Sequence, residues 1–310
     1  MSGQKWMILT RNAVVCAMIV TLGACDRSAF GGHVYSIPWS DGALRDVGSK
    51  VQAGDVIQFL ESDGTSSYSW TASSEFIAAD RVFRTNDYAQ ALSLFRPLAE
   101  KGDARAQYRV GYILSYGNGV KRDDSAALGW MMKAANQGNA MAAYGVGFAY
   151  FRGIGTAQDF GQALHWFQRA ADKGYTKAQI QMGVLYENGS GVGRDFVQAR
   201  AWYDKAVALG DYQGENNIGV MYHNGLGVVQ DYVQAADWYR RAAAHGNPTA
   251  EFNLFKLYSA GLGVPKDQAE SRRHLSVAAE KGHAEAQFEL GSFTENGNGT
   301  PIDARTAVDW

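Results

Sequence analysis

The stretch AQIQMGVLYENGSGVGRDFVQARAWYDKAVALG, residues 178–210, decides the fold of this 310-residue chain. Its pattern returns every 36 residues, with no insertion from Asp87 to the end. Four glycine columns keep the same step, beginning at Gly102, Gly111, Gly117 and Gly119, and together they hold most of the 36 glycines. A fixed period of this length is typical of repeat proteins, in which each repeat buries its apolar faces only against its neighbours.

Each repeat predicts two helices. In residues 211–246, Asp211 caps a first helix over 212–223, and glycines at 225 and 227 end it. Asp231 begins the second helix, and Gln234 completes a D-x-x-Q capping arrangement. Gly246 ends that helix, because the residue just past a helix end commonly needs a positive φ. The repeat is therefore a helical hairpin.

Two more columns run through the repeats. The acidic column predicts helix N-caps; it consists of Asp87, Asp123, Asp159, Asp195, Asp231, Asp267 and Asp303. The aromatic column is expected to fill the space between adjacent hairpins; it consists of Trp130, Trp166, Trp202, Trp238 and Trp310, with His274 as the exception. A glycine inside the first helix, as at Gly183 and Gly219, costs about 1 kcal/mol relative to alanine. Its recurrence indicates a close approach between helices.

This pattern resembles the Sel-1-like repeat, a relative of the tetratricopeptide repeat, over roughly 87–310. One copy reads Ala178, Met182-Gly183, Tyr186, Gly189, Gly191-Val192, Asp195, Ala199, Trp202, Ala206 and Gly210. The resemblance implies an all-α, right-handed solenoid of stacked helix-turn-helix repeats over residues 73–310, with the last repeat incomplete. It also implies a scaffold for protein interactions, without a shared active site.

The first 24 residues predict a bacterial lipoprotein signal peptide. Lys5 and Arg11 precede an apolar run over 13–22 that is too short to span a bilayer. Residues 22–25, LGAC, resemble a lipobox, which implies a lipid on Cys25 and a periplasmic protein. Asp26 then favours the inner membrane over the outer one. The alternative is an ordinary signal peptide with a chance cysteine.

Residues 25–72 form the segment between the lipid and the repeats. Runs over 34–37 and 55–59 favour strands, and Asp63-Gly64 is a turn signal before residues 68–70. We expect a small β element packed on the first hairpin. The alternative is a partly ordered linker.

Composition and motifs argue against several classes of function. A formal net charge of −2 argues against a nucleic-acid partner, since such proteins carry a basic surplus. The only cysteines, Cys16 and Cys25, leave the repeats without thiol chemistry. The Gly-x-Gly segments follow helices rather than strands, so they do not predict nucleotide binding. The six histidines lack metal-ligand spacing. We therefore expect no cofactor, no metal and no catalytic residues.

A partner-binding face is expected on the first helices, which in related solenoids line the concave surface. Its residues change from repeat to repeat while their neighbours stay fixed; they are Arg105, Arg109, Met141, Lys177, Gln181, Gln213, Asn217, Thr249, Asn253, Glu285 and Glu289. The alternative is an ordinary solvated face. If the face binds a protein, substituting Arg105, Arg109 and Lys177 together should weaken binding without changing the melting temperature.

The sequence therefore predicts a non-enzymatic, lipid-anchored solenoid that binds another protein. Two roles fit. The first is an immunity protein that neutralises a toxin delivered into the periplasm, because Sel-1-like lipoproteins resemble such neutralisers. The second is a scaffold of an envelope or exopolysaccharide-secretion complex. A cell-wall or β-lactam hydrolase is a further alternative, but the repeats show no cluster of acid, base and nucleophile.

Overall fold

The computed structural model describes residues 34–38, 56–60, 66–71 and 73–295. Within these ranges thirteen helices follow three short strands. The chain divides into two compact units, Met1–Asn139 and Ala140–Trp310. The predicted signal peptide, Cys25 and the last repeat beyond residue 295 lie outside the described residues.

The strands lie in the N-terminal unit, in the three places that the sequence indicates. They are β1 (Val34–Pro38), β2 (Val56–Leu60) and β3 (Ser66–Thr71). The sheet order is β1-β2-β3, with β1 parallel to β2 and β2 antiparallel to β3. Strands lie over both runs that favour them, 34–37 and 55–59, and β3 follows the turn signal at Asp63-Gly64. Their packing on the first hairpin stays a prediction.

The helices alternate as first and second members of hairpins. The N-terminal unit contains α1 (Ser74–Arg84), α2 (Tyr88–Glu100), α3 (Ala104–Tyr116) and α4 (Asp124–Asn136). The C-terminal unit contains α5 (Ala140–Arg152), α6 (Phe160–Ala171), α7 (Thr176–Asn188), α8 (Phe196–Ala208), α9 (Tyr212–Asn224), α10 (Tyr232–Ala244), α11 (Pro248–Ala260), α12 (Gln268–Glu280) and α13 (Ala284–Glu295). Within each unit, every helix packs against the next one along the chain.

The acidic column caps the second helices, as predicted. The Asp159 carboxylate accepts the backbone N–H of Gln162 at 2.9 Å, and Asp231 accepts those of Val233 and Gln234 at 2.9 and 3.0 Å. These contacts satisfy donors that the first helical turn cannot use internally. The same cap recurs at every described member of the column: Asp87, Asp123, Asp195 and Asp267.

The predicted positive φ at the helix end is also present. Gly246 has φ +90°, and its N–H bonds the carbonyl of Ala243 at 2.9 Å. Asn247 then caps α11 through the N–H of Ala250, with Pro248 at the first helical position. One glycine and one asparagine thus complete the turn between two hairpins.

The glycines inside the first helices mark the closest approach within each hairpin. A Cβ on Gly183 would lie 2.2 Å from Cε1 of Tyr203, and one on Gly219 would lie 2.6 Å from the ring of Tyr239. Both rings are fully buried. The close approach is confirmed, but the ring that fills it belongs to the residue after each tryptophan.

The break in this glycine column has a compensating change on the second helix. Phe255 occupies the glycine position of α11, and the ring position of α12 holds the smaller Leu275. The two side chains share one buried cluster with Phe252. In this hairpin the large side chain is on the first helix, at Phe255, and the smaller one is on the second helix, at Leu275.

The tryptophans pack against neighbouring hairpins as expected, since Trp130 and Trp238 lie against buried clusters that include residues of the hairpin before them, and they also bind cations. Trp166 and Trp202 are buried, whereas Trp130 and Trp238 are only half-buried. Each carries a cation from the next turn over its ring, at 3.5–4.6 Å from the centroid; the cations are Lys133, Arg169, Lys205 and Arg241. Where His274 replaces the tryptophan, the residue three positions on is Val277, so ring and cation are lost together.

Replacing Gly183 by alanine should destabilise the C-terminal unit by about 1–3 kcal/mol, because the new methyl group overlaps the buried ring of Tyr203. Thermal and urea unfolding followed by circular dichroism measure the change.

The matched control for that variant is Gly129→Ala. Gly129 also lies inside a helix, α4, but it is exposed and has no atom within 4 Å of its added Cβ. This change should stabilise the protein by up to about 1 kcal/mol. Equal effects of the two substitutions would show that helix propensity, and not the close approach, governs these positions.

A candidate protein-binding face

Glutamine side chains at one repeat position tie three of the first helices to the second helix before each of them. The side-chain amides of Gln107, Gln179 and Gln287 donate to the carbonyls of Ala99, Ala171 and Ala279, at 3.1–3.2 Å. Each of these carbonyls lies at the end of the preceding second helix, where it also accepts the backbone N–H of the turn glycine at 2.9–3.1 Å. These bonds therefore fix how the three first helices sit on the hairpin before them.

Two repeats have glutamate at this position, and each of these glutamates contacts a basic side chain. Glu215 pairs with His245 at 3.0 Å, at a site where the histidine is half exposed. Glu251 and His274 are both 7% exposed and lie 2.7 Å apart, and Lys281 approaches the other carboxylate oxygen at 3.4 Å. His274, which replaces the tryptophan of this repeat, is therefore the hydrogen-bond partner of the buried Glu251.

The protonation of this pair follows from its neighbours. Arg273 Nη2 lies 2.9 Å from Nε2 of His274, and a guanidinium can only donate. Nδ1 of His274 lies 2.7 Å from Glu251 Oε2 and donates to it. Burial opposes ionisation of Glu251, but the hydrogen bond from His274 and the ammonium of Lys281 outweigh it, so the pKa of Glu251 lies below its ordinary value.

Substituting Glu251→Gln should destabilise the C-terminal unit by about 1–3 kcal/mol at pH 7, since it removes the charge that pairs with the ammonium of Lys281. The wild-type contribution is present above the ordinary carboxyl pKa of 4.5 and is lost as pH falls through the lower folded value. The variant should therefore lose less stability than wild type on acidification. Urea titrations at several pH values test this.

Glu215→Gln is the control for that experiment. It makes the same chemical change at the equivalent position of the preceding repeat, where other repeats have glutamine. The partner of Glu215 is His245, whose side chain is 50% exposed. We expect a loss of at most about 1 kcal/mol. An equal loss in both variants would contradict the assignment of Glu251 as the stronger tie.

The predicted face residues of the N-terminal unit are engaged internally. Arg109 bonds Asp80 at 2.8 Å and lies over the ring of Phe83. Arg105 pairs with Asp103 and stacks on the ring of Phe76. These contacts hold α1 against α3. The expectation that Arg105 and Arg109 could be replaced without a change in melting temperature therefore conflicts with the structure.

The predicted residues of the C-terminal unit are more accessible. Lys177, Gln213, Thr249 and Glu285 are exposed, and Met141, Gln181, Asn217, Asn253 and Glu289 are half-buried. We call the set on α7, α9, α11 and α13 the first-helix face; it consists of Lys177, Gln181, Gln213, Asn217, Thr249, Asn253, Glu285 and Glu289. Met141, on α5, is left out of this set because its side chain is apolar.

A chain of hydrogen bonds crosses this face. Asn253 Nδ2 lies 3.1 Å from Asn216 Oδ1, and Asn216 Nδ2 lies 3.4 Å from Asn217 Oδ1. Close by, the hydroxyl of Tyr203 donates to Glu187 at 2.9 Å. Burial and the neighbouring Glu187 raise the pKa of Tyr203, so its hydroxyl stays protonated. The asparagine bonds thus join α9 to α11, and the tyrosine–glutamate bond joins α8 to α7.

Asn216 is the member of this chain that sequence reasoning missed. It is 7% exposed, at a position where the equivalent residues are the buried Ile180 and Phe252. A buried amide costs free energy unless it is hydrogen-bonded. A single asparagine in an otherwise apolar column could have indicated this bond from the sequence. The hydrogen bonds of Asn216 to Asn217 and Asn253 explain why a buried amide is tolerated there.

The described residues show no arrangement suited to a metal or to a membrane span. No three of their His, Cys, Asp and Glu side chains are grouped closely enough to hold an ion. No helix in these ranges is long and apolar enough to cross a bilayer.

The Sel1 repeat family model matches this chain seven times. The matches cover residues 80–103, 104–139, 140–175, 176–211, 213–247, 248–283 and 284–310. The chain belongs to the Sel1 repeat family, and its fold is a Sel1 repeat solenoid. Members of this class are generally protein-interaction scaffolds without catalysis.

Two solved structures resemble the chain over three quarters of its length. A Sel1 repeat protein from Oxalobacter formigenes is 30% identical with a TM-score of 0.69; the match covers 76% of this chain and 96% of that one. A protective antigen present in uropathogenic Escherichia coli strains is 36% identical with a TM-score of 0.63, over 76% of this chain and 51% of that one. This chain therefore spans about half of the antigen's length.

Curated relatives match only a short segment. The mouse protein called DAP3-binding cell death enhancer 1 is 40% identical over 53 residues, which are 17% of this chain and 10% of the relative. The rat protein of the same name matches over an equal length. The chain thus covers a tenth of these relatives.

Proposed function

We propose that this protein binds another protein through the first-helix face and has no catalytic activity of its own. The observation that carries the proposal is the contrast between the two sides of each hairpin. The acidic caps recur in every described repeat and the helix glycine is replaced only at Phe255, whereas the first-helix face runs from Lys177 through amides to Glu285. A repeated frame with one variable polar face is suited to recognising one partner.

Accessible hydrogen-bonding groups support the same proposal. The side chains of Gln181 and Gln213 make no hydrogen bond to any other described residue, and Asn253 uses only one donor. Amides without an internal partner can donate to and accept from a binding partner without first breaking a bond within the protein.

The lipobox-like LGAC sequence supports a lipid anchor on Cys25 and a periplasmic location, with Asp26 favouring the inner membrane. An anchored binding protein would meet partners that cross or enter the periplasm. Among the roles that fit, we favour neutralisation of a toxin delivered there. Scaffolding of an envelope complex is the role that the experiments below must separate from it.

Cross-linking the full chain in envelopes, followed by mass spectrometry, should identify one predominant protein partner. Replacing Gln181 and Gln213 together by alanine should weaken its capture by about tenfold, while the melting temperature stays within about one degree because neither side chain has an internal hydrogen bond. The control replaces the exposed Gln198 and Gln234 on the second helices α8 and α10. Equal capture by both variants would move the site away from the first-helix face.

The captured partner also separates the two roles. A toxin whose activity falls when the wild-type chain is added, and falls less with the Gln181 and Gln213 variant, supports immunity. A resident envelope component, captured without any inhibition of a toxin, supports scaffolding and contradicts the role that we favour.

Cys25→Ala should release the protein from membranes, since the thiol is the attachment point that the lipobox predicts. Fractionation of cells that express each form measures this, and Cys16→Ala serves as the control because it lies within the predicted signal peptide. Membrane association that persists in Cys25→Ala would contradict the lipid anchor.

A further inference from the structure

The N-terminus of α13 is capped by a histidine side chain. His283 Nδ1 lies 3.2 Å from the backbone nitrogen of Ala286 and accepts its N–H. The side-chain caps of α1, α3, α9 and α11 come from a serine, two aspartates and an asparagine; they are Ser73, Asp103, Asp211 and Asn247. Hydroxyl and amide groups do not ionise in this range, and carboxyls ordinarily titrate in stronger acid, whereas an imidazole changes its charge between about pH 5 and 8. Of these caps, the one on α13 is therefore sensitive to mild acid.

Only a neutral imidazole can act as this cap. An acceptor nitrogen needs a free lone pair, so Nδ1 of His283 is unprotonated and the ring carries its proton on Nε2. A second proton would bind at Nδ1, and the N–H of Ala286 would lose its acceptor. The same proton would place a positive charge at the N-terminus of a helix, where the helix dipole disfavours cations. Protonation thus removes a hydrogen bond and adds a repulsion at one point.

The ring of His283 also holds α13 against the preceding hairpin. It stacks on Phe252 of α11, with ring centroids 4.6 Å apart and an interplanar angle of 29°. The backbone N–H of His283 donates to the carbonyl of Ala278 in α12 at 2.9 Å. Tyr144 and Tyr175 make the equivalent contact between α5 and the start of α7, with centroids 5.2 Å apart, and that contact involves no imidazole. His283 therefore connects α13 to both α11 and α12.

Burial and a neighbouring ammonium oppose a second proton on His283. Burial of the ring favours the neutral form. Lys256 Nζ on α11 lies 4.3 Å from the centroid of the phenylalanine ring on which His283 stacks, and it acts in the same direction, whereas Glu285 on α13 acts in the opposite one. The end of α12 adds two exposed side chains of opposite sign, Glu280 and Lys281. The pKa of His283 accordingly lies below its ordinary value of 6.5.

The direction of the pH effect follows from this lowered pKa. When the first turn of α13 opens, the imidazole regains its ordinary pKa, so the open form binds a proton more readily than the closed form. The closed form is fully favoured above pH 6.5 and is progressively lost as the pH falls below that value. One pH unit lower, the open form gains at most about tenfold over the closed form. The contribution of Glu251 is lost only below 4.5, so the two effects occupy separate pH ranges.

We propose that His283 is an acid-sensitive cap that loosens α13 from α11 and α12 on mild acidification, and that it thereby regulates the acidic end of the first-helix face. Glu285 and Glu289, the members of that face on α13, lose their fixed position when the cap opens. The chain then holds its partner more tightly at neutral pH than in mild acid. This effect on the partner rests on the proposed function, whereas the release of α13 does not.

Hydrogen–deuterium exchange of the full chain at about pH 7.5 and about pH 5.5 tests the release. Protection factors, which correct for the intrinsic pH dependence of exchange, should fall by up to about tenfold over α13 and stay nearly constant over α7 and α8. His283→Asn, which copies the Asn247 cap of α11, should keep α13 protected at both pH values. The control is His165→Asn, at an exposed histidine of α6, and it should respond like wild type.

A titration of the wild-type histidine rings by NMR keeps the test decisive even if His283→Asn does not fold. His283 should titrate with a pKa below 6.5, and the amide signal of Ala286 should move with it, because that N–H loses its acceptor. Lys256→Met removes the nearby ammonium and should raise the pKa of His283 toward its ordinary value, which reduces the loss of protection in acid. A pKa of His283 at or above 6.5, or an α13 equally protected at both pH values, overturns the proposal.

Partner capture separates the regulation from the proposed function. Capture by the wild-type chain should weaken by up to about tenfold between about pH 7.5 and about pH 5.5, and capture by His283→Asn should weaken less. Equal weakening of both forms would overturn the regulatory role of His283. If the wild-type chain captures no protein at neutral pH, the proposed function is contradicted, and the exchange measurement still decides whether α13 is released.

Discussion

The close contact between a first helix and the ring of its partner helix is the constraint on which the rest of the structure depends. At Gly183 and Gly219 there is no room for a methyl group, because a buried tyrosine ring occupies that space. This contact sets the distance between the two helices of a hairpin. The acidic caps, the turn glycines and the glutamine bonds to three preceding helices then set where each helix begins and how hairpins follow one another.

Such a frame leaves one part of the repeat free to vary. Residues on the first-helix face are not needed for capping or for the ring contacts, so they can change from lysine to amide to glutamate without altering the fold. The N-terminal unit shows the contrary case. There Arg105 and Arg109 occupy equivalent positions but hold α1 in place through Asp80 and two rings. Equivalent positions in a repeat therefore need not share one role.

Most of the fold could be predicted from the sequence because its signals are local and repeated. The caps at Asp159 and Asp231, the positive φ at Gly246 and the three strands depend on residues close in the chain. The ring that meets Gly183 could not be assigned in the same way, since both Trp202 and Tyr203 lie on the facing helix and only the packing distinguishes them. The site was harder still. The bond between Asn216 and Asn253 joins positions 37 residues apart, and the Glu251–His274 pair joins positions 23 residues apart.

The central claim is that a fixed helical frame presents the first-helix face to a protein partner. Hydrogen–deuterium exchange of the full chain, measured with and without the cross-linked partner, tests it most directly. The account predicts that binding slows exchange in α7, α9, α11 and α13 and leaves α8, α10 and α12 nearly unchanged. Slower exchange confined to the second helices would contradict it.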